Sequence, residues 1–199
     1  MNNPTLLNNQ FTASSDELVA QYDYGHKLQV GGSETRVMTA DEWEYLLSTN
    51  VNNAINRFWI ENSQTYAKWA RCFIDENGNG TRDTNPAELR GLLIFPDDMD
   101  INDAINTFTK TPTFGGGNAS NNPTTYDRIK NSGAVFIPLT AYRPAGSETL
   151  QQWGNHGNYS TSSRRGNSIL HVRFTFNSTT HKDASAVNQG CMTRLVQNL

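Results

Sequence analysis

The sequence predicts an α+β fold, with two helices beside a mostly antiparallel sheet and long loops between the elements. Three observations carry this. MTADEWEYLL is a capped helix pattern. INRFWI, TYAKWARCFI, LRGLLIFP and SILHVRFTF are strand-like runs. Polar stretches rich in Asn, Gly, Ser and Thr separate them.

Residues 1–36 read as an N-terminal arm. Within it, Ser14 and Glu17 form a capping-box pattern that predicts a short helix over Ser14–Tyr22. The stronger helix signal follows. Thr39 is the N-cap and Glu42 stands three residues later, with Met38 and Trp43 at the hydrophobic-staple positions. Trp43, Leu46 and Leu47 then fall on one face. From Val51 the pattern changes to aromatic-rich strands, INRFWI and TYAKWARCFI. LRGLLIFP (Leu89–Pro96) is a continuous apolar run whose length and closing proline favour a buried strand. Residues 97–123 read as loop. TTYDRIKNSG predicts a second helix, stopped at Gly133. AVFIPL is a compact strand. SILHVRFTF alternates, with Leu170, Val172, Phe174 and Phe176 inward and His171, Arg173 and Thr175 outward. CMTRLV closes the chain as a last strand.

The 199 residues suit one domain with an arm, and 36% hydrophobic residues supply one core when Trp and Phe carry much of the burial. Charged residues are only 18% and the net charge is −3, so electrostatics gives no reason to expect a nucleic-acid partner. No stretch is apolar enough to insert into a membrane. Met1–Pro4 carries no basic segment followed by an apolar one, so no signal peptide is read there. Cys72 and Cys191 are open to two readings, one bridge or two buried thiols. The second is favoured because Cys is a buried residue type by default.

DENGNGTRD has the sharpest spacing. Asp75, Asn77, Asn79, Gly80, Thr81 and Asp83 fall at positions one, three, five, six, seven and nine of a calcium loop, where a hard cation wants oxygens around a bend at glycine. Pro86 stands at position twelve, although Glu88 is close. The preferred reading is a turn, since repeated Asn-Gly between strand-like runs is a strong hairpin signal. Structural calcium is the alternative, and no other cofactor is expected.

His26, His156, His171 and His181 show no zinc spacing, and no nucleophile elbow or phosphate-binding glycine loop is present. Asp97, Asp98, Asp100 and Asp103 read first as a solvated acidic loop and second as a hydrolase pair. WGNHGNYSTSSRRGN, from Trp153 to Asn167, combines Tyr, Trp, Ser, Gly, Asn and Arg, the residues favoured by adaptable binding loops.

Five stretches in order carry a resemblance: VMTADEWEYLL, ELRGLLIFPDDM, NSGAVFIPLTAYR, WGNHGNYSTSS and GCMTRLVQNL. They resemble the formylglycine-generating-enzyme version of the C-type lectin fold and the Fibrobacter major-paralogous-domain proteins. The resemblance spans residues 37–199, so it implies a C-type lectin-like ligand-binding domain there. The variable proteins of diversity-generating retroelements use the same C-terminal architecture.

That resemblance implies a non-enzymatic receptor-recognition protein, phage or virus borne, on a virion or extracellular surface. Its partner would be a host-surface protein or glycan, and homotrimers occur in phage members. By position it implies a ligand-binding set of Ser147, Gln151, Trp153, Asn155, His156, Asn158, Tyr159, Thr161, Arg164, Arg165, Asn167, His171 and Arg173. Trp153, Tyr159, Arg164 and Arg165 are the expected anchors, at surface positions whose loss would leave stability almost unchanged. The sequence departs from the family at Tyr159-Ser160-Thr161-Ser162 and at Gly190–Val196. Formylglycine oxidase activity needs a paired cysteine site that Cys72 and Cys191 do not match. A structural surface subunit is a third reading.

Overall fold

The computed structural model describes residues 28–53, 55–84, 87–166, 168–185 and 189–197. The helix expected at Ser14–Tyr22, His26 and Asn167 lie outside the described residues. The architecture is α+β, with few helices and mostly antiparallel sheets.

The chain enters through β1 (Gln29–Val30) and β2 (Ser33–Val37), which pair with the last strand β13 (Leu195–Gln197) in one small sheet. Residues 29–36, read from sequence as part of the arm, are thus tied to the chain's end. Helix α1 (Ala40–Leu46) follows, capped as expected. The Glu42 N–H donates to Thr39 Oγ1 at 3.1 Å, and the Thr39 N–H donates to Glu42 Oε2 at 2.8 Å. Trp43 on α1 is 1% exposed and packs with Met38 as the staple requires.

A two-stranded hairpin, β3 (Phe58–Glu61) and β4 (Gln64–Ala67), turns through Asn62 and Ser63, both at positive φ, as a two-residue turn between twisted strands demands. The central sheet has the order β7-β5-β6-β8, from β7 (Pro123–Thr124), β5 (Trp69–Ile74), β6 (Arg90–Ile94) and β8 (Val135–Pro138). Its two faces are both covered. Trp69, Leu92, Ile94 and Ile137 belong to one core with Trp43. Ala70, Cys72, Ile74 and Leu93 belong to a second core with Phe95, Phe108 and Ile129. Burial on both faces explains why LRGLLIFP is a continuous apolar run rather than an alternation.

Two helices flank the second core: α2 (Ile101–Asn106) and α3 (Tyr126–Ser132). Helix α3 ends at Gly133 in the left-handed conformation, φ 71°, as expected. Helix α2 corrects the reading of 97–123 as loop. Asp100 caps it, accepting from the Asn102 N–H at 2.7 Å, and Ile101 and Ala104 are buried. Six residues with two apolar anchors are too short to show helical periodicity.

The fourth sheet runs β11-β10-β9-β12, from β9 (His156–Arg165), β10 (Ser168–Thr175), β11 (Thr179–Ser185) and β12 (Met192–Thr193). Here β9 and β10 are antiparallel, whereas β12 joins β9 in parallel. The stretch from Trp153 to Asn167, read as a binding loop, is thus largely a ten-residue strand. Its lack of aliphatic residues concealed it.

Arg36 on β2 grips Glu42 on α1, with Nη1 donating to Oε2 at 2.7 Å. These hydrogen bonds hold the Glu42 carboxyl at about 2, below its ordinary 4.5. A lowered folded-state value means the contribution is complete above pH 4.5 and is lost as the pH falls towards 2. Glu42→Gln keeps the capping geometry and removes only the charge. We expect it to flatten that part of the acid limb in urea denaturation, and to cost less than about 1 kcal/mol at neutral pH because the pair is partly exposed.

Candidate ligand-binding site

The β9–β10 pair builds the region that the sequence singled out. On its inner face, Tyr159 stacks on Phe174 (ring centroids 5.7 Å apart, 5° between planes) and tilts against Trp43 at 5.7 Å. Its hydroxyl donates to the Pro138 carbonyl at 2.9 Å. Gly157 lies opposite Phe174 in register, and a Cβ there would come within 2.4 Å of the ring. Burial pushes the Tyr159 phenol up to about 12.

Small polar residues further along β9 serve as internal hydrogen-bonding groups. Thr161 Oγ1 donates to the Leu170 carbonyl at 2.7 Å, and Ser160 Oγ to that of Met192 at 3.1 Å. The Ser162 N–H donates to the Met38 carbonyl, while Ser163 Oγ accepts from the Ala40 N–H at 3.0 Å and so satisfies a free donor at the start of α1. The bland composition of this stretch reflects sheet stitching as well as surface.

These placements correct the expected set. Tyr159 and His171 are each 4% exposed, Asn158 is 1% and Thr161 5%, so none of the four presents a side chain to solvent. His171 was expected to face outward. Leu170, Val172 and Phe174 keep their inward alternation, and the extra residues at the two register shifts lie on β9 and β11, yet His171 on the opposite face is covered as well. Arg164 is half-buried and Arg165 exposed. Both lie at the far end of β9, about 30 Å along the strand from His156 at ordinary strand rise, and therefore apart from Trp153.

The exposed members cluster before and at the start of β9. Trp153 is 74% exposed and Leu150 59%. Gln151, Asn155 and Arg173 are exposed, and Ser147 and His156 half-buried. The loop carrying them is held at several points. Tyr142 and Gln151 exchange backbone hydrogen bonds at 3.1 and 2.8 Å, and Arg143 and Gly190 do so at 2.8 Å in both directions. The Gly154 N–H donates to the Thr140 carbonyl at 2.8 Å. From β6, Arg90 Nη2 donates to the Gly154 carbonyl at 2.8 Å and to Asn155 Oδ1 at 2.7 Å. Gln152 takes φ 58°, uncommon for a residue with a side chain.

His156 joins this loop to the sheet. Its ring stacks on Tyr142 at 6.3 Å, and burial together with the nearby Arg173 lowers its pKa. Asn158 Nδ2 and His156 Nδ1 are buried without a hydrogen-bond partner among the described residues. Arg90 and Leu150 belong to this site but were missed from sequence. Arg90 lies 64 residues before Gly154, and nothing local marks their meeting.

Two of the four acidic residues considered for catalysis have structural partners. Asp97 accepts from buried Arg57 Nη1 at 2.8 Å and from the Tyr45 hydroxyl at 2.8 Å, while Asp100 caps α2. Cys72 and Cys191 are free thiols, and burial raises both, Cys191 to about 11. No helix among the described residues is long and apolar enough to cross a membrane.

Because Tyr159 is a core residue, Tyr159→Ala should destabilise the protein by about 3–5 kcal/mol, and Tyr159→Phe by about 1 kcal/mol through the lost hydrogen bond. Trp153→Ala should stay within about 0.5 kcal/mol of the parent. Urea denaturation of the three variants checks the ordering. Comparison with protein-family models, with curated proteins and with solved structures finds no match to this chain.

Proposed function

We propose that this chain is a non-enzymatic recognition domain on a C-type lectin-like framework, a variable protein of the diversity-generating-retroelement kind, phage or virus borne. Its contact face is the loop 143–155 with the adjoining start of β9 and Arg173 on β10. The observation that carries the reading is Trp153, 74% exposed, held on a loop fastened to β6 through Arg90 and to the chain's end through Gly190. A large exposed apolar side chain on a fastened loop is arranged for contact with another molecule.

The ligand is a protein or glycan on a host surface. Trp153 and Leu150 supply apolar area on a fastened backbone, so little backbone freedom remains to be lost on binding. Gln151 and Asn155 supply amide donors and acceptors beside it, and Arg173 supplies a charge that can pair or stack. The contact set is therefore smaller than the sequence suggested. Tyr159, Thr161, Asn158 and His171 are buried and add no contact area, and Arg164 and Arg165 stand away from the face. The hydrolase reading loses support because the Asp97 carboxylate is held by Arg57 and Tyr45.

Two measurements test this. The purified protein is first screened against immobilised glycans and host-cell-surface proteins. Trp153→Ala should then weaken the interaction found by about thirtyfold, a hot-spot loss of about 2 kcal/mol, with unfolding unchanged. Full binding by a Leu150→Ala, Trp153→Ala double variant would sink the contact face. For the retroelement class, the neighbouring DNA should hold a near-copy of the segment encoding residues 140–199, differing mainly at adenines and beside a reverse transcriptase gene.

A further inference from the structure

We propose that the loop from Asp75 to Asp83 binds a calcium ion. Strand β5 ends at Ile74, and the next residue, Asp75, is wholly buried (0% exposed). Its Oδ2 accepts from the Gly80 N–H at 2.8 Å, which aims the carboxylate into the loop. Its Oδ1 is buried with no hydrogen-bond partner among the described residues, and no Lys or Arg there pairs with it. A buried carboxylate oxygen without a donor or counter-charge is costly, and a cation at that oxygen removes the cost.

The surroundings suit a hard cation. Asn77, Asn79, Thr81 and Asp83 bring oxygens to every second position, and Gly80, at φ 72°, makes the bend between them. Glu88 acts as a brace rather than a ligand. Its two carboxylate oxygens accept from the Glu76 N–H at 3.0 Å and the Asp83 N–H at 2.8 Å, drawing the two ends of the loop together. Asp83 accepts from Asn77 Nδ2 in the structure, so its ligation exchanges that hydrogen bond for the ion.

The chemistry also sets the strength. Among the described residues no three His, Cys, Asp or Glu side chains converge, so the donors are Asp75 and Asp83 together with neutral amide and carbonyl oxygens. Lys110 donates to the Gly80 carbonyl and adds a positive charge at the loop's edge. Oxygen-only donors on an adaptable loop favour calcium over zinc and over magnesium, which demands near-ideal octahedral geometry. Two carboxylate donors offset by the Lys110 ammonium and by Arg82 within the loop place the affinity at the weak end, a Kd of about 0.1–1 mM, the range of extracellular modules.

The test uses the full chain, stripped with a chelator and titrated with calcium and magnesium by calorimetry and by thermal melting. One calcium site is expected in that range, with magnesium at least about tenfold weaker and the melting temperature raised by calcium. Asp75→Asn removes the buried charge and should weaken calcium by about tenfold or more. Asn79→Ala changes an exposed position, should fold as the parent does and should weaken calcium by about tenfold; it decides the matter if Asp75→Asn does not fold. No heat and no melting shift at about 10 mM calcium would overturn the proposal, as would undiminished binding in the folded variants.

Discussion

The described structure depends on the seat of Tyr159. Its ring lies against Trp43 of α1 and Phe174 of β10, and its hydroxyl reaches the Pro138 carbonyl at the end of β8. One side chain thereby joins the first helix, the central sheet and the C-terminal sheet. Stacking and tilted ring pairs at these distances add to the energy of burial alone, and the hydrogen bond fixes the ring's orientation. Gly157 is part of the same arrangement, because only a residue without Cβ lets Phe174 lie flat at that point.

Once Tyr159 is seated, the polar residues of β9 have defined work. Ser160, Thr161, Ser162 and Ser163 connect β9 to β12, to β10 and to the entry of α1. A strand so poor in aliphatic residues has little apolar burial of its own beyond Tyr159, and these hydrogen bonds satisfy the buried backbone around it. The same stitching explains why loop 143–155 can hold Trp153 in solvent. The strand that follows the loop is fixed by Tyr159, and the Arg90 guanidinium holds the loop from the side. Exposure of a large aromatic here is a property of a fastened segment, in keeping with a contact role.

Two other ionic arrangements have local work. Buried Arg57 donates to the carbonyls of Phe95 and Lys68 and to Asp97, joining the hairpin to the central sheet. Asp75 occupies a comparable position at the end of β5, yet one of its oxygens has no such donor among the described residues. The contrast between a buried cation paired with a carboxylate and a buried anion with no ion-pair partner among the described residues makes the Asn-Gly loop chemically distinct from an ordinary turn.

Local rules were legible wherever neighbours in sequence supply the physics. The Thr39–Glu42 capping box, the Gly133 stop, the buried character of Leu89–Pro96 and the inward positions of Leu170, Val172 and Phe174 all follow from residues within a few positions of each other. The α+β class follows from the same patterns. What only the tertiary structure decided is which polar residues face water. His171 alternates with the inward Leu170 and Val172 and is nonetheless buried on the other face of β10, and the contacts of Tyr159 with Trp43, Phe174 and Pro138 turn an apparent surface anchor into core. The Arg90 clamp spans 64 residues, and the distance from Trp153 to Arg164 and Arg165 depends on β9 being extended. Burial is a property of the assembled packing, so residue type and periodicity alone could not divide this stretch into support and contact.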